Sequence, residues 1–173
     1  MIEKAQQFAI EKHKGQKRKF SSENYSEHSK RVAEIVKKYK NSYKINELIS
    51  AALLHDTLED TNTKEDEIRE LFGDLITSLV KELSSNKEEI KKTSKKEYLA
   101  KKMSKEMSSW ALVIKLADRL DNIESCRKIE SLNEESRSFT KRYREETEYI
   151  LNNLEKNRKL SGKNILLKKC QKR

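Results

Sequence analysis

Apolar positions recur at helical spacing along almost the whole chain. In the opening segment MIEKAQQFAIEKH, Ile2, Ala5, Phe8 and Ala9 fall three and four residues apart, on one face of a helix. Val32, Ile35, Val36 and Tyr39 repeat that spacing in a second segment, and Leu48, Ala51, Ala52, Leu54 and Leu58 mark a third. Thr63 to Asp66 has the form of a capping box, opening a short helix that Gly73 ends. Leu75, Leu79, Val80 and Leu83 mark the next helix, followed by helices from about Lys95 to Met107, over Trp110–Ser125 and over roughly Glu134–Lys156. No stretch alternates with period two for long enough to make a strand, and proline is absent. The pattern predicts an all-α, compact multi-helix bundle whose longest early loop is Gln16–Glu27.

Length and charge narrow this picture. A chain of 173 residues allows one domain with a modest core. Its longest apolar run, Trp110 to Ile114, is far short of the roughly 20 residues of a membrane helix. The charged N-terminal segment has no signal-peptide stretch, and Cys126 and Cys170 make no disulfide framework. A soluble, cytoplasmic protein without membrane partners is expected. Of the net charge of +10, most comes from eight basic residues between Lys156 and Arg173, where there is no acid. Residues 1–156 are therefore expected to form the domain and 157–173 a basic, solvated tail dispensable for catalysis, with nucleic-acid contact the less favoured use. Oligomeric state is not readable.

Three stretches carry chemistry. In AALLHDTLED, His55 and Asp56 follow four apolar residues on a segment that must be largely buried. An ionisable pair there costs several kcal/mol, roughly, unless a metal or partner compensates. Four residues on come Glu59 and Asp60, so Glu59 is expected to stack over His55 and Asp60 over Asp56 on the same helical side. Imidazole with carboxylate suits Mn²⁺, Zn²⁺ or Fe²⁺, whereas Glu59 and Asp60 taken alone read rather as the exposed acidic end of a capped helix. In WALVIKLADRLDNIES, Lys115, Asp118, Asn122 and Ser125 make one narrow polar stripe on an otherwise apolar helix, as if lining a polar pocket. Arg119 and Asp121 fall off the stripe, as structural ion-pair residues would. The third stretch runs from His13 to Ala33, where Lys17, Arg18 and Lys19 lead to His28 at a helix start. By composition alone these are a solvated turn and a surface histidine.

Taken in order, these stretches resemble the hydrolase domain of the RelA/SpoT-homologue proteins, HD-superfamily enzymes that degrade the alarmone (p)ppGpp of the stringent response. The opening family motif stands here as His13, Gly15, Gln16, Arg18 and Lys19, then Ser22, Asn24, Tyr25, His28 and Ser29. Ser22, Asn24 and Ser29 replace the family's glycine and two prolines, which predicts a looser loop. His55-Asp56, Glu59-Asp60-Thr61, Phe72-Gly73 and the run Lys115 to Asn122 supply the remaining motifs. There is no room for a synthetase half, so the likeness is to the small, hydrolase-only kind.

The resemblance implies roles position by position. Residues matching His28, His55, Asp56 and Asp118 hold one divalent ion, usually Mn²⁺. Those matching Glu59 and Asp60 handle the protons of the attacking water and leaving oxygen. Arg18, Lys19, Asn122 and Ser125 match substrate-contacting positions, the substrate being a guanine nucleotide cleaved at its 3′-pyrophosphate to GDP or GTP plus pyrophosphate. Lys95, Lys96 and Lys102 are further candidates for clamping its phosphates. Two other readings stay open on the residues alone. One is an HD phosphohydrolase acting on another nucleotide, such as a dinucleotide 2′-phosphate; the other is a catalytically silent helical module that binds nucleotide or RNA.

Overall fold

Helices form where the apolar spacing predicts them. The computed structural model describes residues 1–158 and 165–172, and among these there is no strand, only an isolated antiparallel bridge between Lys17 and Asn24. The chain divides into two units, one of Met1–Ser85 with Ser109–Asp118, the other of Asn86–Ser108 with Arg119–Arg173.

The first unit contains α1 (Ile2–Lys12), α2 (Tyr25–Tyr39), α3 (Ile45–Leu54), α4 (Thr57–Asp60), α5 (Glu65–Phe72) and α6 (Asp74–Leu83). Every residue of α3 from Leu48 to Leu54 is buried. A helix apolar all round has to be enclosed, and α1, α2 and α6 pack against it. Ala5, Phe8 and Ala9 supply the inner face of α1, and Val32, Ala33 and Val36 that of α2. Phe8 meets Phe72 edge to face, with centroids 5.6 Å apart, which ties α5 to α1.

Two local expectations fail here. The third apolar segment is not one helix: α3 ends at Leu54 and α4 starts at Thr57. The side chains explain the break, because His55 Nδ1–H donates to Ala52 O at 2.8 Å and the Thr57 hydroxyl to Leu54 O at 2.7 Å. The capping box at Thr63 does not form either. Thr63 Oγ1 pairs with Thr61 Oγ1 at 2.7 Å, and the helix begins at Glu65 with Lys64 at its N-cap. Gly73 does end α5, at φ +83°, its N–H donating to Arg69 O at 2.9 Å.

The second unit contains α7 (Lys87–Lys92), α8 (Lys95–Lys101), a π-helical turn over Lys102–Glu106, α10 (Glu134–Asn157) and α11 (Ile165–Lys172). The intervening helix, α9 (Ser109–Ile129), runs unbroken through Asp118 and Arg119 and so contributes to both units. Asn133 and Ser136 open α10 with a reciprocal capping box. Its residues Ile150, Leu151 and Leu154 are buried, and α8, the π-helical turn and α11 pack against it. Arg119 donates to Glu146 Oε1 and to Thr147 Oγ1, and lies over the Tyr143 ring, the structural role its place off the stripe predicts.

Of the expected tail, 159–164 and 173 lie outside the described residues. Within the rest, Leu166 and Cys170 are buried, a period-four pair that the predominance of lysine hides. Arg158 donates to Met103 O at 3.2 Å and to Met107 O at 2.7 Å, closing the π-helical turn. Arg158→Ala is expected to lower stability by about 2 kcal/mol, the range of a charge-assisted hydrogen bond. For a chain of this size that is a fall of roughly 4–8 °C in melting temperature. Circular dichroism melts measure it, and a change under about 1 °C would show that the turn holds without Arg158.

Candidate active site

The end of α3 aims the first imidazole. Nδ1 of His55 is committed to a carbonyl, which only accepts, so its hydrogen is fixed there and Nε2 points away from the helix. Nε2 lies 2.9 Å from Asp56 Oδ2 and 3.8 Å from Asp118 Oδ1. His28, in the first turn of α2, brings its Nε2 to 3.3 Å from Asp118 Oδ1 and 3.7 Å from Asp56 Oδ2. Both imidazoles are 0% exposed, Asp118 7% and Asp56 9%. Three separate elements thus converge on a point that no local spacing announces.

These groups suit a divalent cation. One ligand atom each from His28, His55 and Asp118 lie within 4.8 Å of one another, close enough to share an ion. A neutral His55 would set the lone pair of Nε2, which makes no well-aligned hydrogen bond, against carboxylate oxygens. That opposition is relieved by a proton or a metal. Burial by itself lowers the His55 pKa, but the charges of Asp56 and Asp118 outweigh it and push it up to about 10. Burial opposes ionisation of the two carboxyls as well. It is overcome at Asp56 by His55 and at Asp118 by Lys115, then His28 and His55, so both stay below the usual carboxylate range. Lys115 is itself buried, with Nζ 3.0 Å from Asp118 Oδ2, and thereby leaves the other oxygen to the histidines.

Glu59 and Asp60, adjacent at the end of α4, have different partners. The Oε2 of Glu59 accepts from Ser85 N at 2.9 Å, beyond the end of α6. Asp60 does reach the Asp56 side, through a shared partner, because the Tyr25 hydroxyl donates to Asp56 Oδ2 at 2.6 Å and lies 3.3 Å from Asp60 Oδ2. Although Asp60 is largely exposed as a residue, partial burial of its carboxyl, then Asp56 and Glu59, push its pKa upward. Burial and then Asp56 push that of Tyr25 far upward too, so its hydroxyl remains a donor.

The loop before α2 is braced where a loose one is expected. Besides the Lys17–Asn24 bridge, Arg18 N–H donates to Glu23 O at 3.0 Å, and the Glu23 carboxylate is gripped by both Arg31 terminal nitrogens. These contacts do locally what the missing prolines would do by restricting φ. Phe20, at φ +59°, absorbs the strain of the turn. Arg18 lies over the Tyr25 ring, 5.5 Å from its centroid, and Lys19 over Phe20 at 5.0 Å. Asn122 and Ser125 stand half-buried on α9, in the part belonging to the second unit. In that unit Lys96 lies over Tyr149 and Lys102 Nζ donates to Tyr98 Oη, while Lys95 is exposed.

Residues 5–159 match the HD domain family over most of the chain. The chain belongs to the HD domain family. A guanosine-3′,5′-bis(diphosphate) 3′-pyrophosphohydrolase of Aquifex aeolicus is 38% identical over 125 residues, 72% of this HD domain chain but 17% of that protein. The guanosine-3′,5′-bis(diphosphate) 3′-pyrophosphohydrolase MESH1 of Xenopus tropicalis is 37% identical over 71% of this chain and 68% of its own. The solved structure of a metazoan ortholog of SpoT that hydrolyses ppGpp superposes with a TM-score of 0.75 at 26% identity, covering 99% of this chain and 93% of that one. A Listeria monocytogenes crystal structure, 24% identical with a TM-score of 0.67 over 88% of this chain and 96% of its own, shares the HD domain fold. No helix among the described residues is long and apolar enough to cross a membrane.

The raised His55 pKa has a defined sign. In the metal-free HD domain its stabilisation is fully present below pH 6.5 and is lost as pH rises through about 10. A divalent ion entering the cluster displaces that proton. Ion affinity is therefore expected to rise about tenfold per pH unit between about pH 6 and 8, with close to one proton released per ion. Titration calorimetry in buffers of different ionisation enthalpy measures both. Affinity independent of pH, with no proton released, would separate His55 from ion binding.

Proposed function

We propose that this chain is a metal-dependent (p)ppGpp hydrolase, acting in the cytoplasm, whose catalytic domain is residues 1–156. Water adds across the bond between the ribose 3′-oxygen and its phosphorus, giving pyrophosphate and GDP from ppGpp, or GTP from pppGpp. One observation carries the reading. His28, His55 and Asp118 come within 4.8 Å from three helices, in a chain whose relatives in Aquifex and Xenopus are named for this reaction.

In this reading His28, His55, Asp56 and Asp118 hold Mn²⁺, which supplies Lewis acidity and neutralises phosphate charge. Two carboxylates and two imidazoles without thiolate favour such a borderline-hard ion. Glu59, held by a backbone N–H, takes the proton of the attacking water. Asp60 serves the 3′-oxygen that leaves, and partial burial of its carboxyl shifts its pKa in the direction a proton donor needs. Arg18 and Lys19 receive the guanine nucleotide, Arg18 by presenting its guanidinium plane to the base, and Asn122 and Ser125 hydrogen-bond to it.

Pyrophosphate release from ppGpp, assayed with Mn²⁺ and with chelator, tests the reaction. Faster cleavage of another phosphorylated nucleotide would replace the substrate. Glu59→Gln is expected to lower turnover by about two to four orders of magnitude while preserving Mn²⁺ and ppGpp binding. Near-normal turnover would remove Glu59 from the chemistry.

A further inference from the structure

Three residues of the opening motif have no part in the chemistry above: His13, Gln16 and Tyr25. Each is tied, directly or through one of the others, to the segment that carries Asp56 and Asp60. Gln16 Nε2 donates to the backbone carbonyl of Asp60 at 2.9 Å. The Gln16 oxygen is then the acceptor facing His13, so His13 carries its hydrogen on Nδ1 and donates at 2.8 Å, fixing which way the amide points. The buried His13 ring stacks on Tyr25, with centroids 4.7 Å apart and planes at 23°. Tyr25 also meets the His28 ring edge to face, at 5.6 Å. Its hydroxyl, between Asp56 Oδ2 and Asp60 Oδ2, joins a carboxylate of the metal cluster to one of the proton-handling pair.

We infer that Gln16 and Tyr25 are positioning residues that brace α4, Gln16 from the loop before α2 through the Asp60 backbone and Tyr25 from the first residue of α2 through the Asp56 and Asp60 carboxylates. The need for bracing is visible in the chain. Helix α4 has four residues and follows a break, so its own hydrogen bonds hold Asp60 weakly. Groups that aim metal-binding carboxylates govern ion affinity and turnover nearly as strongly as the ligands themselves. The two struts differ in what they touch, which makes their effects separable. Only Tyr25 bonds to a carboxylate of the metal cluster.

The inference rests on the hydrolase reading for turnover, but not for ion binding. Tyr25→Phe keeps the ring stacked on His13 and removes the hydroxyl. In the full chain it is expected to lower kcat for ppGpp about 10–100-fold with KM nearly unchanged, and to weaken Mn²⁺ binding about tenfold. Gln16→Met is expected to lower kcat while leaving Mn²⁺ affinity unchanged, since the Gln16 side chain bonds to His13 and to the Asp60 backbone and to neither oxygen of Asp56. Circular dichroism confirms that each variant is folded, and if Tyr25→Phe is not, the two measurements on Gln16→Met decide alone. A loss confined to KM would make Tyr25 a substrate contact and overturn the inference. So would unaltered kcat and Mn²⁺ affinity in Tyr25→Phe, or equal weakening of Mn²⁺ binding in both variants. Should the wild type release no pyrophosphate from ppGpp, the hydrolase reading fails, while Mn²⁺ affinity still decides whether Tyr25 braces Asp56.

Discussion

Two imidazoles and two carboxylates buried together are the constraint around which the first unit is organised. An isolated carboxylate in such surroundings costs several kcal/mol, roughly, and four ionisable groups are tolerable only because each faces an opposite charge or a cation. The surroundings match that requirement closely. Lys115 neutralises the outer oxygen of Asp118, a backbone carbonyl takes the His55 hydrogen, and Tyr25 satisfies Asp56. The fully enclosed helix α3 supplies the rigidity, since its seven consecutive buried residues leave the His55 end no freedom to shift.

The same constraint accounts for the broken helix. An uninterrupted α-helix through Glu59 would place His55 and Glu59 on one line, with the imidazole shared between the buried cluster and a carboxylate one turn away. The break lets Glu59 turn to Ser85 N while Asp60 stays within reach of Tyr25. Adjacent acidic residues thereby acquire different surroundings. That is the general condition for giving two carboxyl groups different proton-transfer roles.

What the sequence discloses divides along physical lines. The helices are readable because burial imposes its period on many residues at once, as in Ala5, Phe8 and Ala9 or Leu79, Val80 and Leu83. His55 and Asp56 betray themselves by polarity after an apolar run. His28 and Asp118 join them only in three dimensions, so periodicity cannot find them and a motif likeness can. Thr63 misleads because its hydroxyl has a competing partner in Thr61, and the break at His55 escapes because side-chain bonds to carbonyls leave no compositional trace. Tyr25 and Gln16 look like ordinary loop polarity until the partner of each hydrogen bond is known.

Helix α9 commits neighbouring residues to different tasks. Asp118 belongs to the buried cluster of the first unit, whereas Arg119 is anchored to Glu146 and Thr147 in the second. Successive helical residues are turned by about 100°, so this division of labour depends on an unbroken count along the helix. A side chain here can be exchanged for one of similar size and charge. A residue inserted or removed between Lys115 and Asp118 cannot be absorbed, because it would turn the Lys115 ammonium away from the Asp118 oxygen it faces. Along this stretch the chain tolerates changes of composition far better than changes of length, the opposite of what surface loops allow.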